Sequence, residues 1–234
     1  FQDSLESAHI IFVCVPTPKG KNGECDTSIV ESVVAQYAKK DNVIVIKSTV
    51  TPGTTERLAR TYHANILFNP EFLTESRAWE DFIHPDRQIV GFTEPAKKYA
   101  KMVLMLLPQA FFSSPGALDA YTFWALNATE AEVGKYAANV FGALKVTFAN
   151  VMADYCALLD RSLHVKDGDA SVSYENVRLA LMYDARIGGA WLDVYRGGYR
   201  GFGGYCFPKD TSAFIVSMRS LIEQCAHEDP MRRV

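Results

Sequence analysis

Three short, unbroken apolar runs constrain the first half of this chain: His9–Val15 (HIIFVCV), Asn42–Lys47 (NVIVIK) and Asn65–Phe68 (NILF). A strand that is apolar at every position, not every second one, is covered on both faces. Asp26–Lys40 carries apolar residues at helical spacing, with Asp26 or Thr27 as the N-cap candidate. The turn Thr51-Pro52-Gly53 leads into a second helical pattern over Thr54–Tyr62. Gln88–Phe92 and Ala110–Ser113 read as a fourth and a fifth strand on either side of a helix over Glu94–Leu107. Strands separated by helices of this length predict an α/β fold with a doubly wound, Rossmann-like parallel sheet. Such a sheet presents ligands with the carboxyl ends of its strands. The polar segments Pro16-Thr17-Pro18, Ser48-Thr49-Val50 and Asn69–Glu75 all fall at those ends, so three loops are expected to line one crevice.

The second half changes character. Ala128–Arg161 is a nearly continuous helical pattern, about 50 Å long at 1.5 Å per residue. Its stripe of Val133, Tyr136, Ala137, Val140, Phe141, Leu144 and Phe148 is expected to be buried, which suits a connector or a dimer spine. A shorter helix near Tyr174–Met182, a Gly-rich segment over Ile187–Gly204 and a helix over Pro208–Ala226 follow. The expected organisation is a sheet domain over residues 1–127 and an all-α domain over residues 128–234.

Composition excludes several classes of partner. A net charge of −3 gives no electrostatic reason to expect nucleic acid or an anionic membrane. No apolar run reaches the ~18–20 residues of a membrane span. Five cysteines, widely spaced and without Cys-x-x-Cys, indicate neither a disulfide framework nor a zinc site, so a reducing cytoplasm and no metal are expected.

Two places carry chemistry. Gly201-Phe-Gly-Gly-Tyr-Cys206-Phe-Pro-Lys-Asp210 sets a cysteine between a glycine-rich turn and the start of a helix. The partial positive charge of a helix N-terminus stabilises a thiolate or an oxyanion. Cys206 is therefore a candidate nucleophile, with a buried, inert thiol as the alternative. Lys135 and Asn139 stand four residues apart on one face of the long helix and could oppose a developing oxyanion. The alternatives are a solvated lysine, or a Glu132–Lys135 pair.

In order and spacing, six stretches resemble the UDP-glucose/GDP-mannose dehydrogenase family. They are Val15-Pro16-Thr17-Pro18; Lys47-Ser48-Thr49-Val50 with Pro52-Gly53-Thr54; Asn69-Pro70-Glu71-Phe72-Leu73 with Glu75; Ala131–Asn139; Asp184–Gly188; and Gly201–Asp210. The resemblance implies NAD-dependent oxidation of a sugar CH₂OH to a carboxylate in two hydride transfers. Cys206 would form a thiohemiacetal and then a thioester, and Lys135 and Asn139 would oppose the charged oxygen. Asp210 with Thr49 would hold a water, and Glu71 would serve in hydrolysis. Thr17, Thr49, Glu75 and Lys209 resemble positions that touch NAD. The loop Glu71, Phe72, Leu73, Thr74 and Glu75, the segment Tyr195, Arg196, Gly197, Gly198 and Tyr199, and Gly203 resemble positions that wrap the nucleotide sugar; Lys135 also counts among these substrate contacts. Arg186 resembles an arginine that reaches the partner subunit's substrate, and the long helix implies a homodimer.

The Phe-Pro-Lys-Asp after Cys206 fits the UDP-glucose and GDP-mannose branches better than the UDP-N-acetylhexosamine branches. The implied reaction is UDP-glucose to UDP-glucuronate, with GDP-mannose as the alternative substrate and a non-catalytic dimerisation fragment as the alternative function. The departures are the missing Gly-x-Gly-x-x-Gly pyrophosphate cradle, a missing C-terminal nucleotide-binding domain, and Val151 where the family usually has Glu after Asn150. The chain is thus expected to be the middle of a longer enzyme and inactive alone.

Overall fold

The computed structural model describes residues 7–110, 112–114, 126–163, 171–195 and 198–228. Strands β1 (Ile10–Val13), β2 (Val43–Ile46) and β3 (Asn65–Phe68) lie side by side and parallel, with Val13 level with Ile46 and Ile46 with Phe68. Helices α1 (Ser28–Tyr37) and α2 (Thr54–Tyr62) make the crossovers. Ile44, Ile46, Ile66 and Phe68 pack on one face with Val30, Val34 and Leu58, whereas Val43, Val45 and Leu67 pack on the other with Ala100 and Val103. Burial on both faces is why β2 and β3 read as continuous apolar runs; β1 departs from that expectation, because Phe12 on its second face is exposed. Each fully buried Ile, Leu or Phe side chain contributes about 1.5–3 kcal/mol.

The expected strand Gln88–Phe92 is in fact two. β4 (Arg87–Ile89) pairs parallel with β6 (Phe112–Ser114) in a separate two-stranded sheet, and β5 (Gly91–Phe92) closes the main sheet antiparallel to β3. The sheet is thus the expected doubly wound, mostly parallel one, with an antiparallel pairing at this edge where the chain turns at Val90 to meet the start of the long helix. A Cβ on Gly91 would lie 2.6 Å from the Ala131 Cβ and 2.9 Å from the Asn127 carbonyl oxygen, so only glycine permits that approach. Helix α3 (Ala78–Ile83), for which the sequence shows no helical pattern, follows a 3₁₀ turn at Glu75–Arg77. Helix α4 (Lys97–Leu106) follows another at Glu94–Ala96.

The long helix α5 runs over Ala128–Ser162, 35 residues. A reciprocal capping box starts it: Glu130 N–H donates to Asn127 Oδ1 at 2.9 Å, and Asn127 N–H to Glu130 Oε2 at 2.8 Å. Helices α6 (Tyr174–Met182) and α7 (Cys206–Glu228) complete the described elements. No helix among the described residues is long and apolar enough to cross a membrane.

Contacts divide the chain into two compact units, Phe1–Ala137 with Ser212–Val234, and Ala138–Thr211. In the second, Ala149 of α5 packs against Leu192 and Val194, and the Tyr174 hydroxyl donates to the Leu192 carbonyl at 2.8 Å. The stripe on α5 does not behave as one buried surface. Tyr136 is buried, but Val133, Phe141, Leu144 and Phe148 are exposed, which corrects the expectation that the whole stripe is covered.

Candidate functional site

In the sheet unit, the parallel register brings the ends of β1, β2 and β3 to one edge, and hydrogen bonds fix the loops that leave it. The Ser48 hydroxyl donates to the Val15 carbonyl at 2.6 Å, and Asn69 N–H donates to the Ile46 carbonyl at 2.9 Å. Lys47 Nζ lies 2.8 Å from Asn69 Oδ1 and 3.3 Å from Glu71 Oε2. Asn69, wholly buried, donates through Nδ2 to the Ile89 carbonyl at 2.8 Å. The β3 loop is thereby tied to both neighbouring segments before it reaches Glu71.

Lys135 arrives at this edge from α5. It is buried, and its ammonium donates to the Glu71 carbonyl oxygen. Its Nζ also lies 5.3 Å from the centre of the Phe72 ring, and the Arg87 guanidinium stacks on the same ring at 3.8 Å. This excludes the solvated-lysine alternative. Glu132 turns away to accept from Gly53 and Thr55. Thr17 is buried after β1, Thr49 is half-buried, and its carbonyl accepts from the Cys25 thiol at 3.4 Å. Phe72 and Leu73 are half-buried, while Thr74 and Glu75 are exposed at the 3₁₀ turn.

Cys14, directly after β1, also stands at this edge; the predicted run His9–Val15 places it near the strand's carboxyl end, but nothing in the sequence marks it as a site residue. Desolvation raises its thiol pKa, with Lys47 opposing and Glu71 adding to the rise. Lys47→Met should therefore slow alkylation of Cys14 at neutral pH and Glu71→Gln should accelerate it, each about 2–5-fold. Peptide-resolved mass spectrometry reads both rates, and a change of the same sign in both variants contradicts this electrostatic arrangement.

In the helical unit, Cys206 is exposed and is the first residue of α7. Helix α7 begins two residues earlier than the sequence predicts, which puts the thiol within the first turn and Asp210 on the same face one turn on. Asp210 is almost fully buried and both of its oxygens are engaged. Lys209 Nζ lies 2.5 Å from Oδ1, and Asn139 Nδ2 donates to Oδ2 at 2.5 Å. Lys135 and Asn139, predicted to act side by side, have different partners in this structure.

The glycine-rich turn uses its glycines in two ways. Gly201 (φ 86°) and Gly204 (φ 74°) adopt left-handed backbone. Gly203 does not; a Cβ there would lie 2.4 Å from the Tyr199 hydroxyl, so what it supplies is space. Asn150 and Arg200, absent from the predicted set, moor the turn. Asn150 Oδ1 accepts from Arg200 Nε at 3.0 Å and from Gly201 N–H at 3.2 Å, and Arg200 pairs with Asp154 at 2.5 Å. Tyr195 and Tyr199 are exposed, and Gly198 closes a turn by donating to the Tyr195 carbonyl at 3.0 Å. Arg196 and Gly197 lie outside the described residues. Arg186 is exposed and chelated by Asp184, with Nη2 2.7 Å from Oδ2, which holds the aspartate below its ordinary pKa. Among the described residues no group of three His, Cys, Asp or Glu side chains is placed to hold a metal ion.

Residues 1–107 match the NAD binding domain of the UDP-glucose/GDP-mannose dehydrogenase family, and residues 129–227 match that family's central domain. The chain is 33% identical over 233 residues to a UDP-glucose 6-dehydrogenase of Rickettsia felis, covering 95% of this chain and 46% of the relative. It is 36% identical over 229 residues to a UDP-glucose 6-dehydrogenase of Pseudomonas aeruginosa, covering 92% and 46%. A solved UDP-glucose dehydrogenase from Pyrobaculum islandicum superposes with a TM-score of 0.72 at 32% identity, covering 94% of this chain and 48% of that one. The chain thus spans about half the length of these relatives.

Proposed function

The chain belongs to the UDP-glucose/GDP-mannose dehydrogenase family, and from that premise we propose that it carries the chemical centre of an enzyme oxidising UDP-glucose to UDP-glucuronate. The observation that carries the reading is the first turn of α7: an exposed cysteine, and one turn on a buried carboxylate held by Lys209 and Asn139. NAD⁺ supplies the hydride acceptor for both oxidations. The carboxyl edge of β1–β3 suits one end of such a dinucleotide, and Thr17, Thr49 and Glu75 are the residues of that edge that would hold it. The sequence contains no Gly-x-Gly-x-x-Gly for the pyrophosphate.

The first oxidation removes a hydride from the sugar CH₂OH carbon and releases the hydroxyl proton to water, leaving an aldehyde, and the Cys206 thiolate adds to its carbonyl carbon. The Lys135 ammonium and the Asn139 amide oppose the negative charge on the oxygen. Loss of the second hydride leaves a thioester on Cys206. Water then attacks its carbonyl, the Cys206 thiolate leaves, and Glu71 takes the water's proton, because both oxygens of the buried Asp210 are engaged by Lys209 and Asn139. Following NADH formation in the protein that carries this chain tests the assignment. Two NADH per UDP-glucose support it, and turnover with GDP-mannose alone overturns the choice of substrate.

A second reading concerns assembly. Phe141, Leu144, Phe148, Val151, Tyr155 and Leu158 are all more than half exposed, and they alternate three and four residues apart along α5. That is the spacing of a helix-to-helix seam, and a second copy of the chain supplies the matching surface. Phe148→Asp is expected to weaken self-association by at least about 100-fold, read by sedimentation. A monomeric parent chain at micromolar concentration would refute the pairing.

A further inference from the structure

Phe207, next to the reactive-cysteine position, is seated between two defined neighbours. A Cβ on Gly142 of α5 would lie 2.5 Å from its Cζ and 3.1 Å from Cε2, so the ring rests on the space that a glycine leaves. Its other neighbour is Trp191, whose ring meets it edge-on with centroids 5.8 Å apart at 70°. Trp191 holds a φ of 65°, a conformation a bulky residue adopts only when its surroundings enforce it. The enforcement is visible. Lys145 of α5 donates to the carbonyls of Ile187 at 2.9 Å and Gly188 at 3.1 Å, and its ammonium lies 6.0 Å from the Trp191 ring centre. Leu192, directly after Trp191, is buried against Ala149.

We propose that Trp191 is a positioning residue for Cys206: its ring presses Phe207 onto Gly142 and so fixes where the first turn of α7 points the thiol. The strained backbone at Trp191 is tolerated because glycine, which would relax it, has no ring to deliver. Phe207 is the link, being covalently next to Cys206 and held from both sides. The proposal rests on Cys206 being the nucleophile only for its importance to turnover. The geometry of the thiol is measurable without cofactor or substrate.

The experiment is iodoacetamide alkylation of the chain, with rates at Cys206, Cys14 and Cys225 resolved by peptide mass spectrometry and melting followed by circular dichroism. Trp191→Gly accepts the positive φ without strain, so its melting temperature should stay at or near the parent value. Its Cys206 rate should nonetheless change by about five-fold, with Cys14 and Cys225 unchanged. Trp191→Phe, which keeps an aromatic edge, should restore the parent rate at Cys206. Gly142→Ala, which displaces Phe207 from the other side, should reproduce the Trp191→Gly effect. Parent rates at Cys206 in both Trp191→Gly and Gly142→Ala overturn the proposal, as does equal slowing of all three thiols. A parent Cys206 that reacts no faster than Cys225 counts against the nucleophile reading alone, because the variant-to-parent ratio still decides the positioning role.

Discussion

On the proposed mechanism, replacing Cys206 by serine is expected to reduce UDP-glucuronate formation at least about 1,000-fold in the protein that carries this chain. A hydroxyl is a far weaker nucleophile than a thiolate at neutral pH, and an ester on serine is a poorer acyl donor to water than a thioester. The position makes the substitution clean. Cys206 is exposed at the head of α7, so exchanging sulfur for oxygen there disturbs no packed core. Asp210→Asn is a poorer probe, because it leaves the buried Lys209 ammonium without its carboxylate and mixes stability into the rate. The measurement is the ratio of NADH formed to sugar consumed. Two NADH per sugar at the parent rate from Cys206→Ser would remove Cys206 from the mechanism.

Much of this arrangement is legible in the sequence, for physical reasons that also mark where reading fails. Strands β2 and β3 are buried on both faces, so burial erases the alternation and leaves runs that cannot be mistaken for solvated loops, whereas β1 keeps an apolar run although its Phe12 is exposed. β4 and β5 read as one strand because nothing local distinguishes a strand that continues from one that turns at Val90. The separation depends on Gly91 meeting the start of α5, a contact far away in sequence. Helix α3 has six residues, no side-chain cap and no buried residue, which leaves no periodicity to detect.

At the site, residue types are readable and partners are not. Four-residue spacing puts Lys135 and Asn139 on one face, yet Lys135 donates to Glu71 and Asn139 to Asp210. Lys47 stands inside a recognised motif without a role, although it is the side chain that holds Asn69 and Glu71. Gly142, Trp191 and Phe207 carry only one faint signal: a glycine inside a long helix, where it weakens the helix unless something must approach closely.

Glu132 shows how such an unread partner can control stability. Helix α2 begins after Gly53, which has no side chain to cap the free N–H groups of its first turn. The cap comes from α5. Glu132 Oε2 accepts from Gly53 N–H at 2.6 Å, and Oε1 accepts from Thr55 N–H at 2.9 Å and from the Thr55 hydroxyl at 2.6 Å. Glu132→Ala leaves three donors without their acceptor in a buried place, and the expected loss is about 2–4 kcal/mol of unfolding free energy. The pH dependence has a definite sign. Burial pushes the Glu132 carboxyl up to about 7 from its ordinary 4.5, against the pull of its three donors. A folded-state pKa above the unfolded one means that the folded chain binds the proton more tightly. The stability this group contributes is therefore full below pH 4.5 and is lost as pH rises through 7. Over that window the change is about 3 kcal/mol. The glutamine of Glu132→Gln cannot ionise, so it serves as the reference. The urea-unfolding free energy of the parent, less that of Glu132→Gln, should fall as pH rises from 4.5 to 7 and then level off. A difference that stays flat across the window, or grows with pH, would show that the donors at the start of α2 outweigh burial and keep the carboxylate charged throughout.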